Sequence, residues 1–225
     1  MNLFKTVFVR SAASRKDFPA GPMRRFVFAG KSNVGKSSTI NCLVGKKGFA
    51  KVSSVPGKTV FVNLFSVEDK AWIIDLPGYG YSKTSKDERA RYSKLIEDYF
   101  QSDMENISRL YMIVDIRHKP TGDDQTMIEY IRHYNLPFTI IANKLDKLKP
   151  SQVEPCIRLI RETLSLDNSD LVIPFSAEKG NGRDDVVRDM LEALNPSFID
   201  TPALALRSCY QLLLAMLRPS NSFPV

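Results

Sequence analysis

The chain has 225 residues, of which 43% are hydrophobic and 25% are charged, a composition typical of a globular domain with its own core. Its three cysteines are widely spaced and form neither a metal-ligand spacing nor a disulfide framework, so we expect a reducing, cytoplasmic compartment. We find no signal peptide and no apolar run long enough to cross a bilayer, and expect no membrane partner. The net charge of +7 favours a polyanionic partner without requiring one.

Apolar runs typical of strands alternate with helical patterns along the chain. Strands are predicted at 26–30, 60–67, 71–75, 110–115, 138–143 and 171–175, and helices at 36–44, 86–101, 123–134, 150–164 and 182–194. This alternation predicts a layered α/β domain with a mostly parallel six-stranded sheet and helices on both faces. Because only three residues separate the second and third runs, these strands must form a hairpin, so one strand runs antiparallel to the rest.

The two ends of the chain depart from this pattern. Residues 1–23 are predicted to form a further edge strand at 5–10 and a linker, and residues 24–196 the central domain. The extension 197–225 is predicted to contain a helix at 202–217 with apolar side chains on nearly every face. That helix is too short to span a membrane. It either packs back on the domain, the simpler interpretation, or forms a surface for a partner or a second copy.

A phosphate-binding motif follows the first of the central strands. The segment 30–37 reads GKSNVGKS, a complete GxxxxGK[ST] pattern placed between a strand and a helix, as the motif requires. Its glycines let successive backbone amides wrap phosphates, and the helix N-terminus adds its dipole. Lys36 can then reach the outer phosphates. The predicted phosphate-binding residues are Gly30, Lys31, Ser32, Asn33, Val34, Gly35, Lys36, Ser37 and Ser38.

A second motif decides between adenine and guanine. The string NKLD at 143–146 begins at the end of the strand 138–143, and the Asp146 carboxylate can accept the two N–H groups that guanine offers and adenine lacks. Lys144 would cover the base, and the loop after the last strand would offer an amide to the guanine O6. The predicted base-binding residues are Asn143, Lys144, Leu145, Asp146, Phe175, Ser176 and Ala177. The pattern therefore predicts a P-loop GTPase, the Ras-like fold, that binds GTP and GDP.

Two further segments lie where nucleotide-dependent switches belong. One is the segment 75–78, which begins at the last residue of the strand 71–75. There Asp75 can hold a magnesium-bound water, and the Gly78 amide can sense the γ-phosphate. The other precedes the second strand, and its Thr59 would join the Mg²⁺ shell only when the γ-phosphate is present. The nucleotide-binding residues predicted here are Gly57, Lys58, Thr59, Asp75, Leu76, Pro77 and Gly78. The predicted metal ligands are Ser37, Thr59 and Asp75.

The predicted catalytic residues are Lys36, Thr59 and Asn33. Ras-like enzymes orient the attacking water with a glutamine directly after the DxxG motif, and here Tyr79 stands at that position. An aromatic ring cannot orient water in this way, so we expect slow hydrolysis that rests on electrostatic stabilisation. Two interpretations of Asn33 stay open. It either helps hold an activating potassium ion or shapes the loop through side-chain-to-backbone hydrogen bonds.

Six longer strings carry a family resemblance beyond these motifs. They are GKSNVGKSS at 30–38, PGKT at 56–59, DLPGYGY at 75–81, DIRH at 115–118, KLDKLK at 144–149 and PFSAEKGNG at 174–182. Through them the chain resembles the EngB (YihA/YsxC) family of ribosome-biogenesis GTPases over about residues 4–195. Lys31 and Asn143 depart mildly from that family's usual Arg and Thr. The resemblance implies a cytoplasmic GTPase that helps assemble the large ribosomal subunit and supports growth, division and septation.

Two functions of different classes remain open at this point. In the first, the protein binds the precursor of the large ribosomal subunit, through ribosomal RNA or ribosomal proteins, in one nucleotide state and leaves in the other. In the second, it is a regulatory signalling GTPase that acts on a protein partner without RNA contact. The net charge and the resemblance favour the first. In both cases we expect a monomer with GTP or GDP and Mg²⁺ as cofactors, and K⁺ as a conditional one.

Overall fold

The computed structural model describes residues 1–50, 61–80 and 86–194, with the backbone alone for 86–89. Seven strands and five α-helices lie within these ranges. They are β1 (Thr6–Ala12), β2 (Arg24–Gly30), α1 (Lys36–Val44), β3 (Val62–Val67), β4 (Ala71–Asp75), α2 (Lys86–Asp103), β5 (Ile107–Asp115), α3 (Gly122–His133), β6 (Phe138–Asn143), α4 (Pro150–Thr163), β7 (Val172–Pro174) and α5 (Arg183–Glu192). The predicted alternation of strands and helices is confirmed.

All seven strands form one sheet in the order β1-β3-β4-β2-β5-β6-β7. The neighbouring strands from β4 to β7 pair in parallel, whereas β3 runs antiparallel to both β1 and β4. The predicted hairpin is therefore confirmed. Its turn places Glu68 and Asp69 in the left-handed region, each with φ of 51°. The sheet has one strand more than the six predicted for the central domain, because β1 joins it as the expected edge strand.

Two apolar cores cover the two faces of this sheet. Along β2, Phe26 and Phe28 face the helices α1 and α5, while Val27 and Ala29 face the opposite core with α2, α3 and α4. This division follows from the two-residue period of a strand. Because β2 is buried on both faces, it reads as a continuous apolar run, which is what parallel sheets require.

The carboxyl ends of four strands meet at one edge of the sheet. Gly30, Asp75, Asp115 and Asn143 end β2, β4, β5 and β6 in turn. The strand registers bring them level, with Asp75 opposite Phe28 and Asp115 opposite Asn143. In open parallel sheets ligands bind outside this edge, so the fold gathers the sequence motifs where a ligand is expected.

At the opposite end of the strands, where β2 begins, lies a buried arginine. Arg25 is 0% exposed. Its Nε donates to Asp103 Oδ2 at 2.7 Å, its Nη2 donates to the carbonyls of Pro19 and Gly21 at 3.0 Å each, and its Nη1 donates to the carbonyl of Met23. A buried charge without such partners would cost several kcal/mol. The segment predicted as a linker is therefore held against the sheet by its own carbonyl groups.

Several sequence predictions lie outside the described residues. They concern Gly57, Lys58 and Thr59, the apolar helix at 202–217 and the end of the central domain at 196. Within residues 1–50, 61–80 and 86–194, no helix combines the length and apolar character needed to cross a membrane.

Candidate nucleotide-binding site

The P-loop leaves β2 at Gly30 and enters α1 at Lys36. Asn33 and Gly35 take left-handed conformations, with φ of 66° and 101°. A Cβ atom on Gly35 would lie only 2.3 Å from Asn143 Nδ2, so this position requires glycine. The amides of the first turn of α1 have no acceptor within the helix. Together with the helix dipole, they form the arrangement that binds phosphate.

The structure brings the predicted phosphate lysine and the predicted magnesium carboxylate together. Lys36 Nζ forms an ion pair with Asp75, whose side chain is only 3% exposed. Asn63 Nδ2 donates to the same carboxylate at 3.2 Å. Ser37 follows Lys36 at the start of α1. A hydroxyl and a carboxylate fit Mg²⁺, which takes oxygen ligands and completes its shell with phosphate and water oxygens.

The predicted phosphate sensor lies directly against the P-loop. The Ser32 amide donates to the carbonyl of Tyr79 at 2.9 Å, and a Cβ atom on Gly78 would lie 2.9 Å from Ser32 Oγ. That hydroxyl is buried and has no hydrogen-bond partner in the described part of the chain. A buried polar atom of this kind usually has a partner. The contact between Ser32 and Gly78 therefore offers a polar group at the place where a phosphate is expected.

The side chain of Tyr79 belongs to the packing of α3. It is 8% exposed, and its hydroxyl donates to Asp124 Oδ1 at 2.8 Å. The other oxygen of Asp124 accepts from the amide and the hydroxyl of Thr121, both at 2.7 Å, at the start of α3. Burial, and then the charge of Asp124, raise the pKa of Tyr79 well above its ordinary value. The hydroxyl therefore stays a neutral donor.

The predicted base-binding carboxylate is anchored by two neighbours. Asp146 Oδ1 accepts from Ser176 Oγ at 2.7 Å, and Asp146 Oδ2 pairs with Lys147 Nζ at 2.9 Å. The hydrogen bond from Ser176, followed by that from Lys147, lowers the pKa of Asp146 below its ordinary value. The group is therefore ionised and only accepts hydrogen bonds. Because each oxygen can accept more than one bond, both can still receive the N–H groups of guanine.

Asn143 joins three predicted segments through its side chain. Its Nδ2 donates to the carbonyl of Val34 in the P-loop at 3.0 Å, and its Oδ1 accepts from the Ala177 amide at 3.2 Å. Nearby, the Leu145 amide donates to the carbonyl of Phe175 at 2.9 Å. The P-loop, the base motif and the loop after β7 thus form one connected unit. The Asn143 side chain therefore connects these segments through its two hydrogen bonds.

Lys144 is held by a network that the motifs did not reveal. Its φ is 73°, and its Nζ donates to the carbonyl of Asn33 at 3.0 Å and pairs with Asp115 Oδ2 at 2.9 Å. Arg117 forms two side-chain hydrogen bonds with the same carboxylate. Burial raises the pKa of Asp115, but the hydrogen bonds from Arg117 and Lys144 outweigh it and hold the pKa below its ordinary value. The position of Asp115 at the end of a parallel strand was the available signal.

The remaining predicted residues take varied places. Lys31 Nζ lies 4.0 Å from the Asp123 carboxylate, and the carbonyl of Pro77 accepts from the Tyr92 hydroxyl at 3.0 Å. Val34 and Leu76 are buried, and Ser38 is exposed. The side chain of Asn33 makes no hydrogen bond with the described residues, and only its carbonyl is used. Asn tolerates its left-handed backbone better than most residues do, which gives a local structural reason for this residue.

Comparisons with known proteins agree with this geometry. Residues 25–144, just over half of the chain, match the family model for a 50S ribosome-binding GTPase. A probable GTP-binding protein EngB of Anoxybacillus flavithermus is 43% identical over 185 residues, which cover 82% of this chain and 95% of that protein.

Solved structures give the same result. The crystal structure of a probable GTP-binding protein engB superposes with a TM-score of 0.62 at 26% identity, over 76% of this chain and 98% of that one. Era, in complex with MgGDPNP and nucleotides 1506–1542 of 16S ribosomal RNA, gives 0.55 at 25% identity, over 77% of this chain and 57% of that one. The sequence relatives, the family model and the fold converge, and the chain belongs to the EngB family of GTP-binding proteins, P-loop GTPases of the ribosome-associated kind.

Proposed function

We propose that this protein binds GTP or GDP with Mg²⁺, hydrolyses GTP slowly and acts as a nucleotide-dependent switch in assembly of the large ribosomal subunit. Through that step it supports growth, cell division and septation. The observation that carries the guanine part is the junction at Asn143, where the P-loop, the base motif and the loop after β7 meet. Asp146 can then accept hydrogen bonds from the N–H groups of guanine.

The residues divide into three roles. Lys36 and the first-turn amides of α1 hold the phosphates. Ser37 and Asp75, with Thr59 from the segment outside the described residues, are the ligands we assign to Mg²⁺. The bound ion would neutralise phosphate charge and stabilise the charge that develops during hydrolysis.

The position of Tyr79 supports the proposal of slow hydrolysis. Its hydroxyl is occupied by Asp124 and its ring is buried, so it is not available to orient the attacking water. The exposed side chain of Asn33, which makes no hydrogen bond with the described residues, supports the proposal that K⁺ binds beside the phosphates. An added positive charge there would assist the reaction electrostatically.

Two observations support a ribosomal partner. The matching family model describes a 50S ribosome-binding GTPase, and the net charge of +7 suits RNA. The RNA contact of Era belongs to that protein, whose chain is matched over only 57% of its length. Lys46 is used within the fold, where its Nζ donates to the carbonyl of Thr6 and lies over the Phe49 ring. Lys47 is exposed on the same loop and is the better candidate for a phosphate contact.

Co-sedimentation of the full chain with purified large ribosomal subunits tests this function. The arms contain a non-hydrolysable GTP analogue, GDP or no nucleotide, each over a series of salt concentrations. We expect one nucleotide state to bind more tightly, with log affinity falling by about 0.7–0.9 per phosphate contact for each unit of log salt. Equal binding in all nucleotide states would contradict a switch. A salt-insensitive affinity would indicate a protein contact, and absence of binding would favour the signalling alternative.

A further inference from the structure

Asp115 stands between two cations at the edge of the nucleotide site. Its Oδ2 lies 2.9 Å from Lys144 Nζ. Arg117 Nε donates to Oδ1 at 2.9 Å, and Arg117 Nη2 donates to Oδ2 at 2.7 Å. The Arg117 amide adds a further bond to Oδ1 at 3.1 Å. Both carboxylate oxygens are thus fixed from the side of Arg117, and the carboxylate cannot rotate without breaking a bidentate pair.

The fixed carboxylate determines where the ammonium group of Lys144 lies. A lysine side chain has four rotatable bonds and loses up to about 2 kcal/mol of rotamer entropy when it is ordered. Here Lys144 Nζ is held between Asp115 and the carbonyl of Asn33 at 3.0 Å. Its stem is therefore stretched from the base motif towards the P-loop by groups of the protein itself. A side chain that the protein orders reduces the entropy that nucleotide binding must overcome.

We propose that Asp115 is a positioning residue for guanine-nucleotide binding, acting through Lys144, and that Arg117 orients Asp115. This inference rests on the proposed guanine-nucleotide site. It assigns to the DIRH string the task of keeping the base-motif lysine in its bound position, so that the base and phosphate halves of the pocket are presented together. A nucleotide bound to a protein that lacks this arrangement should dissociate faster, because association depends less on such local order.

The test measures dissociation of a fluorescent N-methylanthraniloyl GDP from the full chain. Loss of a charged hydrogen bond predicts about 10- to 100-fold faster dissociation for Asp115→Asn. Arg117→Ala should have a smaller effect in the same direction. Arg117→Lys should give a dissociation rate between those of the wild type and Arg117→Ala, since lysine cannot form a bidentate pair.

The decisive experiment is a double-mutant cycle with Lys144→Ala. If Asp115 acts through Lys144, then Asp115→Asn combined with Lys144→Ala should dissociate no faster than Lys144→Ala alone. A structural role that is unrelated to the lysine would give additive effects and overturn the proposal. This readout holds even if the variants lower thermal stability, provided that they remain folded at the assay temperature.

The chain offers a control that is matched in side-chain exposure. Arg132 and Asp170 form a pair at 3.5 Å, with side chains 36% and 19% exposed, against 36% and 17% for Arg117 and Asp115. Asp170 lies before the amino end of β7, whereas Asp115 lies at the carboxyl end of β5. Asp170→Asn should leave GDP dissociation unchanged, and equal effects of the two substitutions would overturn the inference. Failure of the wild-type protein to prefer GDP over ADP would instead reject the proposed function itself.

Discussion

The base side and the phosphate side of the pocket differ in how their polar groups are satisfied. On the base side, Asp146, Ser176 and Asn143 are held by bonds to neighbouring segments. On the phosphate side, Lys36 is paired with Asp75, and Ser32 Oγ is buried without a partner among the described residues. Guanine recognition thus rests on groups that the protein itself holds in place, whereas a bound phosphate would compete with Asp75 for Lys36.

This difference separates two properties of the protein. Specificity should be intrinsic, because rigid acceptors reject a base that leaves them unpaired. Hydrolysis should be conditional, since it needs a residue, an ion or a partner that completes the phosphate side. Substitutions on the base side should therefore change which nucleotide binds, and changes on the phosphate side should alter the rate of turnover.

The largest effect is expected from Asp146→Asn. The amide presents a donor where guanine presents N–H groups, so GTP affinity should fall by up to about 10⁴-fold, and xanthine nucleotide should bind instead. Titration with fluorescent guanine and xanthine nucleotides measures both changes, with Asp170→Asn as the control. A variant that keeps wild-type GTP affinity and its preference over ATP would show that the base pocket is wrongly assigned.

A smaller effect is expected from exchange of the monovalent cation. In sodium buffer the isolated protein should turn over no faster than about 10⁻⁴ s⁻¹, the intrinsic rate of Ras. Potassium should raise this rate about 10- to 100-fold if it adds charge where charge develops. Phosphate release from the isolated protein measures both rates.

Asn33→Gly tests the ligand proposed for potassium. Glycine accepts the φ of 66° without strain, so loss of the potassium effect would report the missing side chain. Asn33→Ala should abolish the potassium effect as well while retaining nucleotide binding. Equal rates in sodium and potassium would remove Asn33 from the mechanism and leave the missing group to a partner.

Tyr79→Phe should change turnover by no more than about twofold, because the hydroxyl is bonded to Asp124. Loss of that bond to a charged acceptor should lower the free energy of unfolding by about 1–3 kcal/mol. Denaturant unfolding and single-turnover hydrolysis give the two values. A tenfold slower folded variant would mean that the hydroxyl takes part in catalysis.

Tyr79→Ala is also expected to change turnover of the isolated protein little, since the ring performs no chemistry. The ring is buried, however, so its removal should cost about 3–5 kcal/mol of stability. The hydroxyl variant is therefore the informative one for hydrolysis.

The smallest effect concerns pH. The pKa of Asp146 is lowered, by Ser176 first, and the pKa of Asp115 is held low by Arg117 and Lys144 against the effect of burial. Above the ordinary pKa of 3.8, both carboxylates are ionised and stabilise the folded site. This stabilisation is lost only as the pH falls towards their lower pKa values in the folded protein. GDP affinity should therefore be flat between about pH 5.5 and 8. A midpoint near pH 6.5 in fluorescence titrations would point to a histidine instead.

Sequence patterns predicted most of the architecture because parallel strands require long apolar runs and crossover helices. They also placed the P-loop and the base motif, since backbone geometry dictates these spacings. They could not predict the direction of Tyr79, which depends on Asp124 on a later helix. Nor could they predict the role of Asp115, whose partners come from separate loops. Side-chain networks between distant segments leave no periodic signal.

The buried guanidinium of Arg25 has a consequence for how far the protein can be shortened. Three of its acceptors are carbonyl groups of the segment before β2, and Asp103 is the fourth partner. A protein cut at Arg24, the start predicted for the central domain, would lose β1 and also leave three guanidinium hydrogen bonds unmade inside the molecule. The smallest independently folding unit should therefore begin before Pro19, because carbonyl groups of the apparent linker complete the hydrogen bonding of a buried side chain.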